Sequence, residues 1–259
     1  MEYAKLSEAV KIKKISETDT EGVFEIEGLY VGYGLTVGNA LRRALLSSLP
    51  GAAVTQVKIK GVKHEFSAVS GIKEDVIEII ANLKRVRFKF FADEPQTLTL
   101  KTKGERDVQA KDIETNPLVE IINPEAHIAA LTNKNSELEM ELVIEKGLGY
   151  APVESRKAEK LPVGVIAIDA FFTPVLNVNF TIENMRVGER TDYNRLIISI
   201  KTDGSIAPSN ALHKAANVLR DHIDKISAIE VKEIKEPTKT KEPKKTKKEK
   251  AEKKTKKTK

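Results

Sequence analysis

Apolar and polar residues alternate along Glu8–Ser16 (EAVKIKKIS) and again along Gly22–Val31 (GVFEIEGLYV), the period of strands with one buried face. Glu17-Thr18-Asp19-Thr20 between them suits a turn, so the chain is predicted to open on a β-hairpin. At Thr36 the period changes. Over Thr36–Leu49 (TVGNALRRALLSSL), at about 100° per residue, Val37, Ala40, Leu41, Ala44 and Leu45 share one helix face. Asn39, Arg42, Arg43 and Leu46 look the other way, and Pro50-Gly51 ends the run. Leu46 between two arginines is the odd member, because a solvated face gains nothing from a leucine. Either it is a single exposed leucine, or the helix is clamped on both sides, one by its own fold or a twin and the other by a different protein.

Strand-like patterns then dominate. Ala53–Ile59 (AVTQVKI) predicts a strand and GVKHEFSAVSG a loop. Lys73–Lys84 (KEDVIEIIANLK) predicts a second helix, with Glu74 and Asp75 in its first turn and Lys84 in its last, as the helix dipole favours. VRFKFF, QTLTLKT, VQAKDI, LVEIIN, HIAAL and ELEMELVIE follow as strands bounded by turn formers such as Asn116-Pro117 and Asn123-Pro124. After the loop GLGYAPVESRKAEKLPVG, the runs VIAIDAFF, NVNFTIENMR and LIISIK are strands again. A last helix is predicted from Pro208 to Ile226, although Ala207 is a poor cap for it. Its Leu212, Ala216, Leu219, Ile223 and Ile226 are spaced 4, 3, 4, 3, as in a coiled-coil seam. Two heptads are too few to stand alone. The stripe fits either a helix covering one β-sheet, which the pattern favours, or half of a helix-pair interface.

Composition changes this picture mainly at the end of the chain. Residues 232–259 carry 14 Lys and 5 Glu, a net +9, against 30 Lys+Arg and 33 Asp+Glu, a net −3, in residues 1–231. The overall +6 therefore says nothing about nucleic-acid binding by the folded part. From Pro237 onward there is no aromatic or branched aliphatic residue, and the segment is expected to be disordered. With no Cys, disulfides, thiolate nucleophiles and Cys-ligated metal are excluded. No apolar run approaches a membrane span or a signal peptide, and a cytoplasmic protein is expected.

Candidate chemistry is thin. Gly32, Gly34 and Gly38 follow a strand and open a helix, but their G-x-G-x-x-x-G spacing is one residue too long for a dinucleotide loop, and a tight strand-to-helix turn is expected. His64-Glu65 suggests an acid/base pair without a partner; His127, His213 and His222 are too scattered to share a metal ion, and Asp169 is a carboxylate inside an apolar run. No P-loop, paired-Mg²⁺ aspartate cluster or serine elbow is present. The residues by themselves indicate an α+β protein, an assembly component with no self-contained active site and a basic tail.

The long run TVGNALRRALLSSLPGAAVTQVKIKGVKHEFSAVSGIKEDVIEIIANLK resembles the bacterial RNA polymerase alpha-subunit family, and the likeness continues through GLGYAPVESR, PVGVIAIDAFFTPV and RVGERTDYNRLIISIKTDGSI. The resemblance implies an α+β amino-terminal fold: a dimerisation subdomain, 1–51 and 177–231, made of an antiparallel sheet and two long helices, interrupted by a mostly-β insert, 52–176. It implies a homodimer on which beta and beta′ assemble, with omega and sigma completing the holoenzyme, and no cofactor in this chain, the Mg²⁺ belonging to beta′. By motif position, Arg43, Leu46, His64 and Glu65 are expected to face beta and Lys84 to contact beta′. Val37, Leu41, Ala44, Leu45, Leu212, Ala216, Leu219 and Ile223 are expected at the dimer interface. The family continues into a DNA-reading carboxy-terminal domain, where this sequence has the Lys-rich run 232–259. That tail either attracts phosphate weakly and without sequence preference, or only solubilises. Two rival readings remain: a stand-alone DNA-binding module working through the tail, and an enzyme using His64, Glu65 or Asp169.

Overall fold

The computed structural model describes residues 8–156 and 161–229; the predicted tail, 232–259, lies outside them. In chain order come β1 (Lys11–Glu17), β2 (Glu21–Leu29), α1 (Tyr33–Ser47), β3 (Pro50–Ile59), α2 (Val76–Leu83), β4 (Phe88–Phe90), β5 (Gln96–Lys103), β6 (Arg106–Gln109), β7 (Ile113–Glu114), β8 (Val119–Ile121) and β9 (His127–Leu131). Then follow β10 (Glu137–Leu148), β11 (Tyr150–Ala151), β12 (Val165–Ala167), β13 (Ala170–Phe171), β14 (Val175–Val187), β15 (Arg190–Thr202) and α3 (Pro208–Ser227). The class is α+β, as the patterning predicts.

A four-stranded sheet runs β1-β2-β15-β14, and a five-stranded one β12-β3-β10-β5-β7. In the first, Phe24 opposes Ile198 and Ile26 opposes Leu196, so alternate residues of two strands far apart in sequence face one side. There they join Leu41, Ala44 and Leu45 of α1 and Ala211 and Ala215 of α3 in one apolar core. A second core gathers apolar residues from Ala52 to Ile168 around β3, β5, β10 and α2. The outer face of the larger sheet is a cross-strand charge ladder. Glu139 meets Lys60 at 2.8 Å and Lys101 at 2.9 Å, and these ammonium groups hold its carboxyl at about 2, well below the usual 4.5.

Both long helices borrow their N-terminal caps. Gly32, left-handed at φ 82, precedes α1 and has no side chain to offer. Asn194 on β15 supplies the acceptor instead: its Oδ1 receives the N–H groups of Gly32 (3.0 Å) and Gly34 (3.3 Å). In front of α3, Glu17 of β1 accepts the Ser209 N–H at 2.8 Å and holds Lys14 at 2.9 Å. Hydrogen bonding from Ser209, then Lys14, draws the Glu17 carboxyl down to about 2. Each helix is thereby indexed to the sheet it covers.

Several local expectations are corrected. α1 starts three residues earlier than the apolar period implies, because the Asn194 acceptor stabilises a turn that contains Gly34. Of the three glycines read as a turn, only Gly32 makes it. Gly34 and Gly38, four apart, face the sheet, where a Cβ at Gly38 would lie 2.9 Å from the Phe180 ring and one at Gly34 3.0 Å from the Asn194 Cβ. VQAKDI divides into β6, a 3₁₀ turn and β7, since Asp112 accepts the Gln109 N–H at 2.9 Å. VIAIDAFF divides at Asp169 into β12 and β13. Glu74 precedes α2 rather than opening it. Its carboxylate accepts the Ala130 N–H at 2.7 Å and lies 3.0 Å from His127 Nε2, while Asp75 caps the helix through the Glu78 N–H.

Candidate interaction surface

The first functional side chains project from the outer face of α1. Leu41, Ala44 and Leu45 are buried in this chain's own core, Leu45 completely. On the other flank Leu46 keeps 38% of its surface in solvent, and Arg42 and Arg43 beside it are exposed. Arg42 lies over the Phe180 ring at 5.6 Å and donates to Asn39 Oδ1 at 3.1 Å, which orients its guanidinium along the helix. Arg43 has no comparable tether among the described interactions and is presented outward. The result is one apolar group framed by two cations, a combination that a solvated face does not need and a partner can use.

The residues expected at the twin interface divide. Leu41, Ala44 and Leu45 are interior, and Val37 is half-buried against the same core. Leu212 and Leu219 also pack partly against it, whereas Ala216 and Ile223 are exposed, Ile223 by 61%. The seam therefore divides by residue: Leu212 and Leu219 lean on the core, while Ala216 and Ile223 leave their surface exposed.

A broad groove of about 640 Å³ brings together other residues singled out by sequence. Its lining includes His64, Glu65, Phe66, Ile77, Lys84 and Asp169. His64 and Glu65 stand on the exposed loop after β3, where His64 Nδ1 and Ser67 Oγ are 3.2 Å apart. Phe66 is 77% exposed at the same place. Lys84 does not point freely outward, since its Nζ lies 3.2 Å from Asp169 Oδ2, and Asp169 Oδ1 accepts the Val153 N–H at 2.9 Å. Separations of 85 and 16 residues hide this link from any reading of local pattern.

A second cluster escaped the sequence altogether. At the β14–β15 turn, Arg190 lies 5.0 Å from the Tyr30 ring centroid and 5.5 Å from that of Tyr193, and it grips Asp192 with two bonds of 3.0 and 2.7 Å. Arg190 draws the Asp192 carboxyl below its usual value. Tyr33, at the start of α1, stands edge-on to Tyr30. The cluster locks the hairpin tip beside the exposed Val31, Tyr33 and Leu35. Among the described residues no helix is long and apolar enough to cross a membrane.

Exposed apolar groups thus stand among fixed charges at both places, and comparison with known proteins identifies the family. Residues 57–173 match the family model described as the RNA polymerase Rpb3/RpoA insert domain. The chain is 49% identical over 215 residues to the DNA-directed RNA polymerase subunit alpha of Alkaliphilus oremlandii, a match covering 83% of this chain and 68% of that protein. It is 49% identical over 217 residues to the Roseiflexus castenholzii subunit, covering 84% and 67%, and 43% identical over 225 residues to that of Chloroherpeton thalassium, covering 86% and 68%. The chain thus spans about two thirds of the length of these relatives. With nearly half of its residues shared over most of its length, and with the insert model matched across its second core, the chain belongs to the family of DNA-directed RNA polymerase alpha subunits.

Proposed function

We propose that two copies of this chain pair and that the pair is the scaffold on which the beta and beta′ subunits of a cytoplasmic polymerase assemble. Nucleotidyl transfer and its Mg²⁺ ion belong, in this reading, to beta′, and this chain's contribution is positional. The observation that carries it is the two-sided character of α1. Its inner flank is filled by its own core, and its outer flank presents Leu46 between Arg42 and Arg43. Beta docks there, and the loop bearing His64 and Glu65 extends its contact. The second copy docks on the exposed members of the α3 stripe, Ala216 and Ile223, together with the surface that Val37 and Leu212 retain. The Lys-rich tail adds weak, salt-sensitive attraction to DNA phosphates.

Affinity capture of the full chain co-expressed with beta and beta′ tests this. Two copies of this chain with one of each large subunit are expected by native mass measurement. Leu46→Asp should leave the pair intact and lose beta. Loss of the pair with beta retained would mean the two surfaces are exchanged.

A further inference from the structure

We infer that a cleft between the two cores is a site for a compact, multiply charged anion of the pyrophosphate class, held by Lys89, Lys146 and Lys214. Such a ligand is independent of the scaffold reading above.

The cleft encloses about 260 Å³ where the start of β3, β4, β10 and the entry to α3 meet. Each lysine in its wall comes from a different element. Lys89 lies on β4 and Lys146 on β10, whose apolar residues belong to the second core. Lys214 lies on α3, between the Ala211 and Ala215 that bury this helix in the first core. Phe88, Phe90 and Ile206 make much of the remaining wall, and Ser205 donates its hydroxyl to Asp203 at 2.6 Å. No carboxylate among the described residues lines the space. The acids that pair with its lysines do so from outside. Asp93, 2.9 Å from Lys146, is 94% exposed, and Glu120, 3.7 Å from Lys89, is 63% exposed. Pairs so exposed are weak and are readily exchanged for a better acceptor. Lys214 is exposed and forms no ion pair among the described residues.

Three cations around one space repel each other, and an anion placed among them turns that repulsion into attraction. A single carboxylate can answer only one of them, whereas a diphosphate brings charge for all three. Ammonium groups are compact point charges with three donors each, which suits phosphate oxygens approached from several directions. Volume sets the size of the ligand. Sites that enclose drug-sized molecules measure roughly 300–1,000 Å³, so this cleft takes a phosphate-scale group and leaves any attached nucleoside outside. Bound there, the anion ties β4 and β10 to α3 and braces one core against the other.

Thermal unfolding of the full chain tests the site, read as the rise in Tm with pyrophosphate, a nucleoside triphosphate, inorganic phosphate and, at matched ionic strength, sulfate. Pyrophosphate and the triphosphate are expected to raise Tm well beyond phosphate and sulfate. Lys89→Met, Lys146→Met and Lys214→Met should each weaken the apparent Kd for pyrophosphate about three- to tenfold, as loss of one exposed cation does. Lys214→Arg keeps the charge and should restore the binding that Lys214→Met loses. Lys111→Met, a lysine outside the cleft, should bind as wild type. Every variant keeps residues 232–259, so differences among them report the cleft and not the Lys-rich tail. No rise beyond that of sulfate would overturn the proposal. So would wild-type binding in all three methionine variants of the cleft, or a loss as large in Lys111→Met. A response to the triphosphate alone would overturn it as well, by placing recognition on the nucleoside.

Discussion

Replacing Asn194 by alanine should release the start of α1, and the cost can be worked from its two bonds. Asn194 is buried, and its Oδ1 is the acceptor for the N–H groups of Gly32 and Gly34. Gly34 is itself buried in the close approach of helix to sheet, so its orphaned donor has no water to turn to, which costs about 1–3 kcal/mol. Gly32 is exposed, and its N–H can be rehydrated for roughly the 0.5–1.5 kcal/mol of an ordinary hydrogen bond. Together these amount to about 2–4 kcal/mol. For a folded part of this size that lowers Tm by roughly 4–16 °C. Asn194→Asp keeps the acceptor and adds a negative charge where the helix dipole welcomes it, and should stay within about 1 kcal/mol of wild type. Thermal and denaturant unfolding of the three chains, at equal concentration because pairing contributes, provides the measurement. A loss below about 0.5 kcal/mol in the alanine variant, no better than an ordinary surface change, would refute the remote-cap reasoning. An aspartate variant as unstable as the alanine one would do so equally.

Other expectations follow from neighbouring features. Leu45→Ala, at a fully buried position, should cost about 2–5 kcal/mol in denaturant unfolding, whereas Leu46→Asp, one residue on, should stay within about 1 kcal/mol while abolishing beta capture. Gly51→Ala would place a Cβ 1.8 Å from the Phe172 carbonyl oxygen, and since backbone must move to admit it, a cost of about 3 kcal/mol is expected in the same assay. Glu17 has a folded pKa of about 2 against an ordinary 4.5, so its stabilisation is present above pH 4.5 and lost as pH falls toward 2. Glu17→Gln should flatten that part of a Tm–pH profile, with the remaining slope falling to groups such as Glu139. A profile unchanged by the substitution would contradict the assigned cap.

Period and turn chemistry made most of the fold legible. The hairpin, the three helices and the strands of both cores follow from alternation and from the 3.6-residue stripe, because in each of them burial falls on one face. Legibility ends where a single polar side chain reaches across the sequence. Asp169 bends an apolar run that periodicity alone makes continuous, and Asn194 moves a helix start by acting from 160 residues away. The glycines of α1 carry too little chemistry to distinguish a turn from a close approach; the positions of Asn194 beside Gly34 and Phe180 beside Gly38 separate them from Gly32. Of the candidate surface, Leu46 could be singled out from its two arginine neighbours. The Lys84–Asp169 link and the Arg190–Tyr30–Tyr193 cluster could not, because nothing local announces partners so far apart.

The pairing of β2 with β15, Glu21 opposite Lys201, also dictates an order of events during synthesis. By the time Phe172 has been made, every residue of the second core from Ala52 to Ile168 exists, so that part can close. Phe24, Ile26 and the apolar flank of α1 must wait for Val175 to Ala215 before any of their own core is complete. At typical elongation rates that wait is on the order of seconds, with an adhesive amino-terminal segment uncovered throughout. A nascent chain halted after Phe172 should accordingly yield a protease-resistant core beginning beyond Leu49, with the residues before it digested. The family's insert is, on this view, the part of the subunit that matures first, and the helix bearing Leu46 becomes competent only once β14, β15 and α3 have been made.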